Sequence, residues 1–378
     1  MTRAWVVLGN IWHLGLKEFR SLLNDPTLMF LILFMFTASV YLDATAKPET
    51  LNRAAIAIVD EDQSQLSTRM VQALRPPQFE PELIGLAEID KGMDAGRHTF
   101  VLDIPPNFAR DLLAGKVPAL QLNIDATRLT QARTGSGYIA SILSNEISAY
   151  TSRVRSDTEL PVMLVPRMLF NPNIKESWFA SITSVINNIT LLAILLTGAA
   201  LIREREHGTI EHLLVMPVTA LEIMLSKIWS MAVVVLVVSS LSIQLVVKGW
   251  LEVEVEGSAW LFALGTAFYL FAACSMGIFM ATIARSMPQF ALISILVLLP
   301  LEILSGAITP RESMPDLIQL LMSFTPTTHF VALAQAVLFR GESLADVWLP
   351  FLLLAVIGAA FFLLALVRLK NTIGSMQS

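Results

Sequence analysis

Residues 181–202 read SITSVINNITLLAILLTGAALI, and the chain runs on without a break into REREHGTIEHLLVMPVTALEIMLSKIW, residues 203–229. A bilayer core of about 30 Å needs roughly 20 apolar residues in a helix, because lipid offers the backbone no hydrogen-bond partners. The first piece meets that length without an ionisable side chain, so it predicts a membrane-spanning helix. Outward from it, Thr27–Leu42, Ile223–Val247, Ala259–Ile283, Pro288–Ile308 and Val347–Val367 meet or approach the same requirement, Thr27–Leu42 being the shortest. The composition agrees: 54% hydrophobic and 15% charged residues over 378 positions, with a mean hydropathy of +0.64, exceed what a soluble domain needs. The single cysteine, Cys274, excludes an intrachain disulfide or a cysteine zinc site and reads as a small packing residue. A net charge of -5 with dispersed Lys and Arg leaves no basic footprint for nucleic acid.

Orientation follows from the basic residues of the short loops, because cytoplasmic loops retain Lys and Arg. With the N-terminus inside, the cytoplasmic pieces hold Arg3, Lys17, Arg20, Arg203, Arg205, Lys227, Arg285, Arg368 and Lys370, whereas the opposite loops hold Lys248, Arg311 and Arg340. This excess predicts a multi-pass protein of the bacterial inner membrane with both termini cytoplasmic. Residues 1–26 read as an amphipathic interfacial helix, with Trp5, Leu8, Trp12, Leu16, Phe19 and Leu23 at spacings of three and four and with Lys17 and Arg20 available to lipid headgroups. The triplet Ala44-Thr45-Ala46 after the first span (27–45) also fits a signal-peptide cleavage site, but so long a leader favours an uncleaved anchor.

Residues 46–178 are hydrophilic and long enough to fold alone, which places an α/β domain on the periplasmic side. Strands are expected at Ala54–Val59, Thr99–Ile104 and Leu120–Ile124. Helices are expected at Ser64–Leu74 with Ser64 as N-cap, near Asn107–Ala114 with Gly115 closing it, and at Thr130–Arg153. The fold class is therefore a membrane all-α bundle of six transmembrane helices with an inserted extracytoplasmic α/β domain. The remaining spans lie within 179–370, and 371–378 form a cytoplasmic tail.

The joint between the second and third spans is the most informative segment. The charged run Arg203-Glu204-Arg205-Glu206 extends the second span, Gly208 turns the chain, and a short helix follows over 208–216, where Thr209 is a fitting cap and Glu211 suits the positive helix end. Pro217 breaks that helix, and Thr219 with Glu222 forms a capping box for the third span. His207 and His212 are five apart, share no helix face, and read as polar interface residues.

The run REREHGTIEHLLVMPV (203–218) resembles the segment after the second span in membrane-permease subunits of type 2 ABC transporters. The similarity extends to KEFRSLLNDP (17–26), to the extracytoplasmic insert, to ARSMPQ (284–289) and to ITPRESMPDLIQLLMSFTPTTHFVALAQAVLFRG (308–341). It implies a half-transporter that works as a homodimer or heterodimer with separate ABC ATPase subunits. The implied coupling helix is 208–216, with Glu204, Arg205, Glu206 and His207 at its entry, Thr209, Glu211 and His212 within it, and Pro217 at its end. Arg285 and the leader would be secondary contacts. Relatives with a large extracytoplasmic insert export drugs or other amphiphiles, often with a periplasmic adaptor and an outer-membrane channel.

No G-x-x-x-x-G-K-[ST] phosphate cradle occurs; Gly115-Lys116 is the nearest fragment, and Val117 stands where a magnesium-binding hydroxyl is needed. No cofactor or metal is expected on this chain, and ATP with Mg belongs on the partner ATPase. No catalytic histidine constellation is present, so the expectation is a transporter subunit and not an enzyme. Within the spans, Glu302, Asn187, Asn188 and Gln244 are candidates for a translocation path, set against snorkelling for Glu302 and plain helix packing for the others. Residues 313–341, too polar and proline-broken to cross, predict two short helices starting at Pro315 and Pro326 in an outer-leaflet re-entrant segment. Two rivals are a membrane-anchored periplasmic sensor, which needs a cytoplasmic output domain, and an ion-coupled secondary transporter, which needs paired intramembrane charges and internal repeats.

Overall fold

The computed structural model describes residues 2–46, 53–125, 129–154, 175–206, 218–309 and 311–377. The chain divides into two compact units, Met1–Lys47 with Met168–Ser378, and Pro48–Arg167. The coupling-helix residues 208–216, with His207 and Pro217, lie outside the described residues.

The first unit is helical, and among its described residues six helices are long and apolar enough to cross a membrane. Helix α1 (Thr2–Leu23) precedes the first span, which is built from α2 (Pro26–Phe34), a π-helical turn (Met35–Ser39) and α3 (Val40–Thr45). Asp25 starts that span: its carboxylate accepts from the Thr27 and Leu28 amides, and Pro26 occupies the first turn, where its missing N–H costs nothing. The second span is α8 (Glu176–Glu206), and the third is α9 (Ala220–Ser242) with a π-helical continuation (Ile243–Trp250). The fourth is α10 (Ala259–Ile283), the fifth α11 (Met287–Leu304), and the sixth lies in α14 (Leu344–Gln377). Between the last two, α12 (Asp316–Met322) and α13 (Pro326–Leu338) meet at 89°. Their starts fall at Pro315 and Pro326, and Phe330, Leu333, Val337 and Leu338 are all buried.

The second and fourth spans form the centre, 78% and 72% buried, whereas the first, fifth and sixth are only 22–28% buried. Glycine permits this central contact. A Cβ on Gly277 of α10 would lie 2.6 Å from the Ile194 carbonyl oxygen of α8, and one on Gly198 of α8 would lie 3.0 Å from the Gly277 carbonyl oxygen and strike the Phe290 ring of the fifth span at 2.1 Å. Polar side chains then stitch the first span to the others at its π turn, where the helical hydrogen-bond ladder is interrupted. Asn188 Nδ2 donates to the Met35 carbonyl and Ser242 Oγ to the Phe36 carbonyl, each at 2.6 Å.

The leader meets the spans with a face of mixed polarity. The stripe containing Trp5, Leu8, Trp12 and Leu23 is exposed, while Gly15, Glu18 and Leu22 face the spans. The physical reason is the partner surface: the ends of α8 and α9 present Glu204 and Lys227, which are matched by a carboxylate and not by an apolar stripe.

The second unit holds a four-stranded sheet in the order β2-β1-β3-β4, from β1 (Ala54–Asp60), β2 (Phe79–Leu83), β3 (Phe100–Ile104) and β4 (Gln121–Ile124). Strand β1 pairs in parallel with β2 and β3, and β4 runs antiparallel to β3. Its helices are α4 (Gln65–Ala73), α5 (Ile89–Asp94), α6 (Phe108–Leu113) and α7 (Leu129–Val154). Ser64 caps α4 in a capping box closed by Ser67, and Arg69 pairs with Glu146 at 2.9 Å to tie α4 to α7. The sheet core gathers Ile56, Ile58, Leu66, Met70, Phe79, Phe100 and Leu102. Strand β2 and helix α5 went unforeseen. The FEPEL sequence of β2 buries only Phe79, and its proline sits on an edge strand, so neither alternation nor an apolar run marks it.

Candidate functional site

The carboxyl end of the second span, which leads into residues 207–217, carries most of the charge chemistry among the described residues of the helical unit. It grips two neighbours at once. On one side Glu204 meets Lys17 at 2.9 Å and Lys227 at 2.8 Å, and Lys227 also reaches Glu18 at 3.0 Å. Two lysines and two glutamates thus balance in one group formed by α1, α8 and α9. Lys227 is 1% exposed and donates as well to the Ala200 carbonyl at 3.4 Å. An ammonium so placed persists only because two carboxylates surround it, since an isolated buried charge is strongly disfavoured.

On the other side, Arg205 donates to the Ala284 carbonyl at 2.6 Å, and Glu206 accepts from the Met287 amide at 2.8 Å. Those two contacts hold the turn between the fourth and fifth spans, where Arg285 sits. Its own amide donates to the Gln289 side chain at 2.8 Å. The carboxylate of Glu206 also meets the positive N-terminal end of α11, which favours an anion. Arg203 adds a contact of 3.5 Å to Asp25, the cap of the first span. Four consecutive residues therefore reach the leader, the first, third and fifth spans, and the turn before the fifth.

The third span is fastened at its start. Glu222 accepts from the Thr219 amide at 2.5 Å and hydroxyl at 2.7 Å, closing the expected capping box, and its other oxygen accepts from Asn10 of the leader at 3.0 Å. Two turns further, Trp229 stacks on Trp12 with ring centroids 5.1 Å apart, and its indole N–H donates to the Ile11 carbonyl at 3.1 Å. Gly15 is required there, because a Cβ would lie 2.2 Å from the Trp229 ring. Burial raises the Glu18 carboxyl above its ordinary value; Lys227 opposes the shift, and the adjacent Glu204 adds to it. For Lys17, partial burial works to lower the pKa, but Glu204 and Glu18 together outweigh it and the net shift is upward.

The candidates inside the spans separate into different environments. Asn188 is buried and committed to the Met35 carbonyl. Asn187 keeps a buried Oδ1 with no hydrogen-bond partner among the described residues. Gln244 is exposed and lines a cavity of about 50 Å³ with Lys248 and Ser240. Glu302 is half-buried near Asp43 of the first span, and Asp43 accepts from Ser184 at 2.6 Å. Deeper still, Tyr269 shares its hydroxyl with Thr190 at 2.7 Å and Thr327 at 3.2 Å, joining the second span, the fourth and α13. The role of Lys227 escaped the sequence reading, which used it only as a marker of orientation. The available signal was a lysine two turns inside an apolar span, at a depth where a charge needs a partner.

The family model for ABC-2 family transporter proteins matches residues 27–367. The chain belongs to that family. The inner membrane transport permease YhhJ of Escherichia coli is 58% identical over 370 residues, covering 98% of this chain and 99% of that protein. The probable multidrug ABC transporter permeases YbhR and YbhS of the same organism are 28% and 24% identical, covering 89% and 87% of this chain and 92% and 88% of their own lengths. The chain is thus a multi-pass inner-membrane permease of an ABC transporter. As in its family, ATP hydrolysis belongs to a partner ATPase subunit and not to the permease.

Proposed function

We propose that this ABC-2 permease is the membrane half of an ATP-driven exporter for drug-like or amphiphilic compounds, in which residues 208–216 receive the stroke of the ATPase. The observation that carries the reading is the double grip at the end of the second span. Whatever displaces residues 207–217 pulls on α8 directly, and through Glu204, Arg205 and Glu206 on the leader, the third span and the turn at Arg285. A push at one loop becomes a concerted movement of several helices because charged, buried contacts resist being opened one at a time. In this reading both termini are cytoplasmic, residues 46–178 face the periplasm, and the bent pair α12–α13 lies at the outer leaflet. The poorly covered first, fifth and sixth spans support a second permease copy as partner, and in this reading the inserted domain is the part that meets a periplasmic adaptor and outer-membrane channel. The printed names of YbhR and YbhS support a multidrug cargo.

The test is reconstitution with the cognate ATPase in proteoliposomes, with a fluorescent cationic amphiphile as the probe. ATP-dependent movement is expected only with both subunits, and Glu206→Ala, which removes the grip on the fifth span, is expected to leave ATPase binding intact while reducing transport at least tenfold. Uphill transport by the permease alone refutes the reading.

A further inference from the structure

Between α1 and the ends of the second and third spans lies a cavity of about 220 Å³. Its floor is apolar, with Leu22, Leu196 and Met231, and its rim carries Lys17, Ser21 and Arg203. The rim is cationic where it is open. Lys17 and Arg203 keep 54% and 35% of their side chains exposed, whereas Glu18 and Glu204, which also line the cavity, keep 10% and 11% and lie against both Lys17 and Lys227. Arg203 has five donors to offer, and its one ion-pair contact among the described residues is the 3.5 Å approach to Asp25.

We propose that this cavity seats the phosphate headgroup of a phospholipid from the leaflet bordering α1, bridging Lys17 of the leader and Arg203 of the second span. Three features select that occupant. The open charges are donors arranged for an anion, with Ser21 as a third donor and an arginine fork that matches phosphate oxygens. The floor is apolar, as the glycerol end of a lipid requires. The volume is below the ~300–1,000 Å³ typical of sites that enclose a drug-sized ligand, so the cavity fits a headgroup and not a whole cargo molecule. A lipid so held would tighten the clasp, since its phosphate ties the leader to the same end of the second span that Glu204 already ties.

The experiment uses the purified chain in uncharged detergent, titrated with dihexanoyl phosphatidylglycerol, dihexanoylglycerol and inorganic phosphate, and read by thermal unfolding. The short-chain phosphatidylglycerol is expected to raise the midpoint saturably. Arg203→Gln should weaken its apparent affinity about tenfold, which corresponds to the loss of one charged contact. Ser21→Phe, a change on an exposed position that blocks the mouth without altering charge, should abolish the shift even if the arginine variant folds poorly. Equal shifts from the uncharged diacylglycerol overturn the proposal, as do equal shifts from phosphate alone, which would mean a free-anion site. An undiminished response in Ser21→Phe overturns it as well. None of these outcomes depends on the ATPase or on transport, so its failure is separate from failure of the exporter reading.

Discussion

Replacing Lys227 with methionine tests the clasp most directly, because the side-chain volume is nearly kept while the buried charge is lost. In the native chain Lys227 lies 3.0 Å from Glu18 and 2.8 Å from Glu204 at 1% exposure. Its removal leaves two buried carboxylates facing each other. Breaking a buried pair by deleting one partner costs about 3–5 kcal/mol. Lys17 remains 2.9 Å from Glu204 and 3.7 Å from Glu18, and offsets part of that loss. The lower end, about 3 kcal/mol, is therefore expected for Lys227→Met. By contrast Lys17→Met should cost no more than about 1 kcal/mol, because its ammonium is half in solvent and exposed pairs contribute little. The assay is reversible unfolding in mixed micelles, extended to the cycle in which Glu18→Gln is combined with Lys227→Met. Neutralising Glu18 should recover at least about 1 kcal/mol of the loss, since one of the stranded charges is then gone. A Lys227→Met variant as stable as the parent refutes the argument that this group holds the three helices together. Additivity of the two changes refutes it equally.

Further predictions concern the same unit. Because Glu204 holds Lys17 above its ordinary value of 10.5, the stabilisation it contributes is whole below that value and is lost as pH rises through the higher folded-state pKa; unfolding measured against pH should show this alkaline loss in the parent and not in Lys17→Met. Gly277→Val should cost roughly 1–3 kcal/mol, seen as a lowered unfolding midpoint, because its Cβ would sit 2.6 Å from a backbone oxygen of the second span that has nowhere to move. Asn188→Leu should cost about 1 kcal/mol by stranding the Met35 carbonyl in the π turn, and a transport defect larger than its stability defect would mark it as a path residue instead.

The six membrane-capable helices were legible because such helices announce themselves by length and hydropathy alone, and the Thr219–Glu222 box and the prolines at 315 and 326 fixed helix starts from single residue types. The leader shows where that logic stops. Its apolar spacing correctly predicted a helix, but periodicity does not say which face meets protein when lipid is also present. In water the apolar stripe turns inward; beside a bilayer it is equally well placed facing out, and the decision passes to the few polar residues that cannot face lipid. Here those are Glu18 of the leader and Lys227 of the third span, which satisfy each other and so set the leader's rotation. The same reasoning changes what the charged run at 203–206 does. Read along the sequence, these residues look like a solvated entry to the loop that follows. In the fold, Glu204 is 9% exposed and its carboxylate faces the protein interior. An alanine at 204 therefore disturbs the leader and third span together with any coupling role. Among the described residues Glu206 contacts the α11 amide from an exposed position, and in the proposed reading it is the position at which transmission is weakened while the lysine–glutamate group stays whole.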